Sequence, residues 1–495
     1  MDGNQNLSRR RFLVTGVTAA GGFVIGTAAL PEWAKAATVG AYPWENNDGH
    51  APNEIDAWIA INPDDSILIR YQKAEMGQGS MTAVPMMLNE ELQADWSKVK
   101  IEFASANRNL RENKIYGAMY SNGSRSIKES QKLVQQVGAS ARTRLIAAAA
   151  ARWNVPASEC TAANSVITHG PSGKTLRYGE VAADAAKIKL DKEPAIKTPD
   201  QWTFAGKPMP RIDVVHKIDG SAKFGMDAQV PGMVFAAILQ CPVPGGKLKS
   251  VDESAVAGMP GNPQVVKLDD AVAVAAEGTW WRARQALAKL QPEWDVGAAG
   301  TTDSAQFFRE YHAALDTGKV VTGRKQGDVE KAFGQQGAKT FEAVYETPYL
   351  SHSPMEPMNA TVQIQGERID IWVSTQDALD ETETVAKKFG IEPENIYLHN
   401  AFCGGGFGRR DVADEVVQAI HIAKAVQKPV KLIWTREEDT RHDKFRPHAV
   451  VRFKAGAGAD GMPNALSARV VTSSILHSTG AKFPPNKVEP MAVAG

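Results

Sequence analysis

Apolar positions along the chain recur with two different periods, and the periods mark out its elements. Ile67-Leu68-Ile69-Arg70-Tyr71 predicts a strand, closed by a tight turn at Gly77-Gln78-Gly79. Val84, Leu88 and Leu92 then fall four apart, on one face of a helix. A longer helix is predicted from Ser126, where Ser126-x-x-Glu129 reads as a capping box. It runs through Ile127, Leu133 or Val134, Val137, Ala141 and Leu145 and ends before Pro156. The Ala/Val run between Asp270 and Glu277 predicts a buried strand, and Trp281 to Leu290 a helix. Beyond them come a strand at Ile369–Val373, a helix at Glu381–Phe389 and a strand at Ile396–Leu398. A glycine run at 404–408 follows, then a helix through Val412, Val416, Ile420 and Ala423, and a strand at Val430–Trp434.

These elements group into units. Residues 37–54 form a polar lead-in, 55–190 a first unit, 191–210 a Pro/Lys-rich linker, 211–296 a second unit, 297–325 a connector, and 326–495 a third unit. The fold class expected is α+β, a mixed α/β chain in three parts, without internal repeats. A chain of 495 residues is too long for one ordinary domain.

Charge narrows the function. Lys plus Arg equal Asp plus Glu, 56 against 56, which removes the basic excess a nucleic-acid binder needs. Cys160, Cys241 and Cys403 lie far apart with no CxxC spacing, so no zinc site or iron–sulfur cluster built on cysteines belongs to this chain. The ten histidines make no HExxH, and no G-x-S-x-G marks a hydrolase. At the N-terminus, Ser8-Arg9-Arg10-Arg11-Phe12-Leu13 precedes a glycine-diluted apolar run and Ala34-Lys35-Ala36. That combination, over residues 1–36, reads as a twin-arginine signal and implies export to the periplasm. Cleavage after Ala36 would leave a net charge of −2.

The sharpest chemical signal is Phe402-Cys403-Gly404-Gly405-Gly406-Phe407-Gly408-Arg409-Arg410 between a strand and a helix. Successive glycines leave backbone N–H groups bare, and a helix N-terminus adds positive potential, which suits an anionic cofactor edge. It is neither a Rossmann fingerprint nor a Walker loop. Met76-Gly77-Gln78-Gly79 is a second glycine turn at a strand end, and Thr375-Gln376 places another amide after a strand. Tyr349 to Pro357 and Arg436 to Asp439 are further polar segments.

In order and spacing these segments resemble the large subunits of the xanthine dehydrogenase and aldehyde oxidase group of molybdenum hydroxylases. The branch most similar holds the isoquinoline 1-oxidoreductase β-subunits and periplasmic aldehyde dehydrogenase large subunits. There the Met-Gly-Gln-Gly segment precedes the Gly-Gly-Gly-Phe-Gly segment, the permuted order, and a pair of arginines stands where Gly-Lys is usual. The resemblance implies a molybdenum–molybdopterin cofactor, in its cytosine dinucleotide form, held by its dithiolene with no direct protein ligand to the metal. It implies that Gly406, Phe407 and Gly408 approach the molybdenum oxo group, that Gln376 lies beside it, and that Gly405 and Arg409 also bind the cofactor. Met76, Gly77, Gln78 and Gly79 would bind the pterin and its phosphate. Asp411 occupies the place of an acidic substrate-contacting residue, and the segment from Arg211 resembles a hammerhead domain. The implied reaction is hydroxylation of an aldehyde or N-heterocycle with oxygen from water. Electrons would leave through a small iron–sulfur partner subunit, sometimes with a cytochrome c, in a periplasmic complex that can sit against the inner membrane.

One departure matters. The group's catalytic base is a glutamate in a glycine-rich motif far towards the C-terminus, and no such motif follows residue 408. The expected base would lie beyond Gly495, and this chain alone is expected to be inactive. The alternatives are a non-catalytic cofactor-binding or assembly fragment that needs a second chain, and an exported binding protein without metal.

Overall fold

The computed structural model describes residues 54–335, 339–478, 484 and 487–489, together with the pairing of the short strand Thr38–Val39. The expected signal segment, and nearly all of the lead-in, lie outside the described residues. Ile67–Tyr71 is a strand, as its pattern predicts, and Ile67, Ile69 and Tyr71 are buried. It pairs antiparallel with Ile59–Ile61 and parallel with Val99–Phe103 in a five-stranded sheet whose outer members are Glu54–Asp56 and Thr38–Val39. The helices Ser80–Leu92 and Ser126–Trp153 pack on each other closely enough that a Cβ on Gly138 would stand 2.2 Å from the Leu88 carbonyl oxygen. The capping box does not form. Arg125 is the N-cap and Ser126 lies inside the helix, so Glu129 instead takes the Tyr120 hydroxyl and pairs with Arg125 at 3.6 Å.

A seven-stranded sheet joins the second and third units. Its order is Gln264–Lys267, Ala271–Ala276, Val234–Gln240, Val430–Ile433, Asn359–Gln365, Arg368–Val373 and Ile396–Asn400. The join is the parallel pair of Val430–Leu432 with Val234–Ala236, so the boundary expected at 297–325 does not separate two sheets. Ala271 to Ala276 are all buried, as a continuous apolar run in a central strand requires. The helices Ala378–Phe389 and Asp414–Val426 start slightly away from their predicted positions, and Trp280–Leu287 stops three residues short. Neither expected spacer is bare chain. Residues 297–325 contain the helix Ser304–Thr317, capped by Asp303. Within 191–210, Lys197 Nζ reaches Glu90 at 2.6 Å, and the same carboxylate accepts the amides of Thr203, Phe204 and Ala205.

A third sheet, Lys339–Thr347, Ala449–Ala457 and Pro463–Thr472, was not evident from sequence. Its rows Phe341–Ala455–Leu466, Ala343–Phe453–Ala468 and Tyr345–Val451–Val470 make one apolar face. Phe341, Tyr345, Leu466 and Val470 on that face are exposed. The opposite face is tied to the helix Ser304–Thr317 and the residue after it, through Arg452–Asp316 and Arg469 to the Gly318 carbonyl. Among the described residues, no helix is long and apolar enough to cross a membrane.

Candidate cofactor site

Because Arg368–Val373 and Ile396–Asn400 are parallel neighbours, the loops leaving their C-terminal ends emerge side by side. These loops carry Ser374–Asp377 and Ala401–Gly408. The strand Ile67–Tyr71 delivers a third segment, Gln72–Gly79, to the same place. Backbone hydrogen bonds fasten the three together: Cys403 N–H to the Glu75 carbonyl at 2.9 Å, Gln376 N–H to the Arg410 carbonyl at 2.9 Å, and Ser121 N–H to the Gln376 carbonyl at 2.7 Å.

In the turn itself, the carbonyls face the protein, whereas the amides of its middle three residues, Gly405 to Phe407, do not. The Gly404 oxygen accepts from Glu356 N–H at 3.0 Å, that of Gly405 from Arg410 Nε at 2.9 Å, that of Gly406 from Arg409 N–H at 2.9 Å, and that of Phe407 from Arg446 at 3.2 Å. Among the described residues, the N–H groups of Gly405, Gly406 and Phe407 have no acceptor. Positive φ at Gly405 (102°), Phe407 (60°) and Gly408 (105°) produces this splay of amides. Phe407 is the notable member, a bulky residue in the left-handed region that is 59% exposed. A Cβ on Gly406 would lie 2.4 Å from Gln376 Oε1 and 2.6 Å from Met76 Sδ, so only glycine fits there. The expected helix N-terminus contributes little. A short 3₁₀ turn, Arg409–Asp411, intervenes, and the helix begins only at Asp414 with Asp414 and Glu415 in its own first turn.

Two buried carboxylates hold the loops. Glu75 accepts the amides of Gly77 (2.9 Å), Gly79 (3.1 Å) and Met81 (3.0 Å) and pairs with Arg211 at 3.0 Å. Glu356 accepts Gly404 N–H at 2.8 Å, while Arg410, fully buried, donates to the Glu356, Gly405 and Ser374 carbonyls. The sequence-predicted residues fall around this frame in different ways. Gln376 is buried with both ends of its amide engaged, Nε2 on the Ser121 carbonyl and Oε1 on Gly408 N–H, each at 2.9 Å. Gln78 closes its own turn by accepting Met76 N–H and donating to the Ala74 carbonyl, both at 2.8 Å. Arg409 points inward, bidentate on Asp414 at 3.0 Å, so only its backbone can face a cofactor. Asp411 faces Asn122, Arg125, Asp377 and Asp380 rather than the turn, and burial pushes its carboxyl up to about 6. The Cys403 thiol, raised to about 12 by burial, is protonated at neutral pH and is no metal ligand.

Behind Thr375 lies a buried pair of acids, Glu381 and Glu415, which the sequence did not single out. Burial and the charge of Asp377 lift Glu381 to about 8 against the pull of Thr375 and Arg410. Glu415 is raised in the same way by burial and by Asp414. The folded protein therefore keeps a proton on Glu381 that the unfolded chain releases near its ordinary value of 4.5, and stability falls as pH rises between the two. Glu381→Gln should remove that fall, so the variant gains stability relative to the wild type as pH is raised from 5 to 8. Urea denaturation at the two pH values measures it.

Residues 27–224 and 312–485 each match a family model described as a molybdopterin cofactor-binding domain. The chain belongs to the molybdopterin-binding xanthine dehydrogenase family, whose large subunits it resembles along most of its length. It is 29% identical to the isoquinoline 1-oxidoreductase subunit beta of Brevundimonas diminuta, over 91% of this chain and 62% of that protein. It is 28% identical to the membrane-bound aldehyde dehydrogenase [pyrroloquinoline-quinone] of Gluconacetobacter polyoxogenes, over 93% of this chain and 60% of that one. The aldehyde oxidoreductase of Desulfovibrio gigas is a similar solved structure, with TM-score 0.42, 19% identity, and coverage of 60% of this chain and 38% of that chain. The chain spans about 60% of the length of the first two relatives.

The residues present fit such a cofactor. Three unpartnered amides and a glycine that admits no side chain form a cradle for a flat anionic group, and the inward-facing carbonyls do not repel it.

Proposed function

We propose that this chain is the cofactor-binding part of a periplasmic molybdenum hydroxylase acting on an aldehyde or an electron-poor N-heterocycle. The observation that carries the reading is the Gly405–Phe407 cradle closed by Gln376 and Met76. The bound cofactor, taken to be the cytosine dinucleotide form, supplies the transfer of a water-derived oxygen and the uptake of two electrons. The chain's own residues bind and orient. The amides of Gly405, Gly406 and Phe407 donate to the anionic edge, and Gln376 fixes Gly408. Glu75 and Glu356 hold the two glycine loops at one spacing. Residues 211–296 take the hammerhead role. Cys160, Cys241 and Cys403 are all buried and scattered, so electrons leave through an iron–sulfur partner, with a cytochrome c where one is present.

The test is direct. Protein recovered from the periplasmic fraction of a cofactor-competent host should contain molybdenum and pterin near one per chain. Folded protein without pterin would overturn the reading.

The second reading, a fragment that acts only with a further polypeptide, is favoured by the uncovered apolar face at Phe341, Tyr345, Leu466 and Val470. Turnover by the 495-residue chain alone would exclude it.

A further inference from the structure

The segment Tyr349–Pro357 carries a histidine whose geometry the cradle has not yet used. His352 Nδ1 lies 2.8 Å from Asp443 Oδ1, and the same carboxylate accepts the Ser351 hydroxyl at 2.7 Å and the His352 backbone N–H. The side chain of Asp443 is fully buried, and Arg409 Nε stands 3.5 Å from it. Burial alone would raise the Asp443 carboxyl, but the hydrogen bonds from His352 and Ser351 outweigh it and hold the group at about 2. A fixed carboxylate on Nδ1 keeps that nitrogen protonated and directs the ring, leaving Nε2 as the working atom. Nε2 has no hydrogen-bond partner among the described residues. It lies 3.6 Å from where a Cβ on Gly408 would stand, and it is the one group within 4 Å of that point. Arg446, bonded to the Phe407 carbonyl, brings a cation to the same end of the turn.

We propose that His352, oriented by Asp443 and carrying a proton on each ring nitrogen as an imidazolium, is a cofactor-binding residue whose Nε2 donates to the anionic edge held at the Gly405–Phe407 amides. The proposal rests on the cofactor reading above and extends it to a side chain outside both glycine loops. Its rival is a scaffold role, in which His352 only pins its segment to Asp443.

Two substitutions separate the roles, because an Asn amide overlays Nδ1 and a Gln amide reaches the position of Nε2. His352→Asn keeps the bond to Asp443 and loses the group facing the turn, and His352→Gln does the reverse. In the full chain, pterin is measured by fluorescence after oxidation, molybdenum by metal analysis, and melting by circular dichroism. His352→Gln should keep most of its pterin and molybdenum. His352→Asn should lose about tenfold, the factor expected for one charge-assisted hydrogen bond, with melting unchanged. A fully loaded His352→Asn, or loss from both variants with lowered melting, overturns the proposal. Wild-type protein free of pterin would instead overturn the cofactor reading on which it rests.

Discussion

Gly406→Val is expected to empty the cofactor site while the surrounding sheets stay folded. Even the first added carbon meets Gln376 Oε1 at 2.4 Å and Met76 Sδ at 2.6 Å, far inside contact distance. Gln376 cannot swing away, because its side chain is bonded to Ser121 and Gly408 and its backbone to Ser121 and Arg410. The turn must therefore move, and the amides of Gly405 and Phe407 move with it. Overpacking of this kind costs about 1–3 kcal/mol, too little to unfold a chain with cores in its sheets. Pterin content should fall at least about tenfold, since 1.4 kcal/mol of lost binding already amounts to that factor. Gly406→Ala should lie between the two. Normal pterin content in soluble Gly406→Val would show that the cradle is not where the cofactor sits.

Glu75→Ala should be the more damaging change to the fold. Glu75 is completely buried, and its removal strands the amides of Gly77, Gly79 and Met81 and takes from Arg211 one of its two carboxylate partners, leaving Asp213 at 2.6 Å. Breaking a buried, multiply bonded charge costs about 3–5 kcal/mol, a large part of the stability a typical domain possesses. Glu75→Gln keeps one acceptor oxygen and should cost less than half as much. Denaturant midpoints rank the pair, and limited proteolysis at 76–79 reports whether the loop has come free. Equal midpoints for the Ala variant and the wild type would mean that this carboxylate does not hold the loop.

What the sequence made legible follows from how local each signal is. Ile67–Tyr71, Ile369–Val373 and Ala271–Ala276 announce themselves because consecutive residues carry the pattern. Gly406 was likewise visible as one of three glycines in a row. Glu75 and Glu356 were not, because a buried carboxylate differs from a solvated one only in its distant partners, here Arg211 and Arg410. The same holds for His352, whose partner Asp443 lies 91 residues away. The capping box failed because the chain enters the helix with Arg125 already in helical conformation, leaving Ser126 no cap to make. The strand Lys339–Thr347 was missed although Phe341, Ala343 and Tyr345 alternate with Glu342 and Glu346, because Val344 puts an apolar residue on the polar side of that short alternation.

The cradle's stitching has a consequence for the order of events in biogenesis. Glu75 meets Cys403, Ser121 meets Gln376, and Lys223 meets Phe402, each pair brought together from more than 170 residues apart. No portion of the nascent polypeptide shorter than its first 403 residues contains all these partners. Contacts of such sequence separation form late and slowly, since the intervening loops must close first. A cofactor bound at this cradle would thus meet a pocket that exists only after long-range folding is complete, and its insertion is expected to follow folding rather than nucleate it.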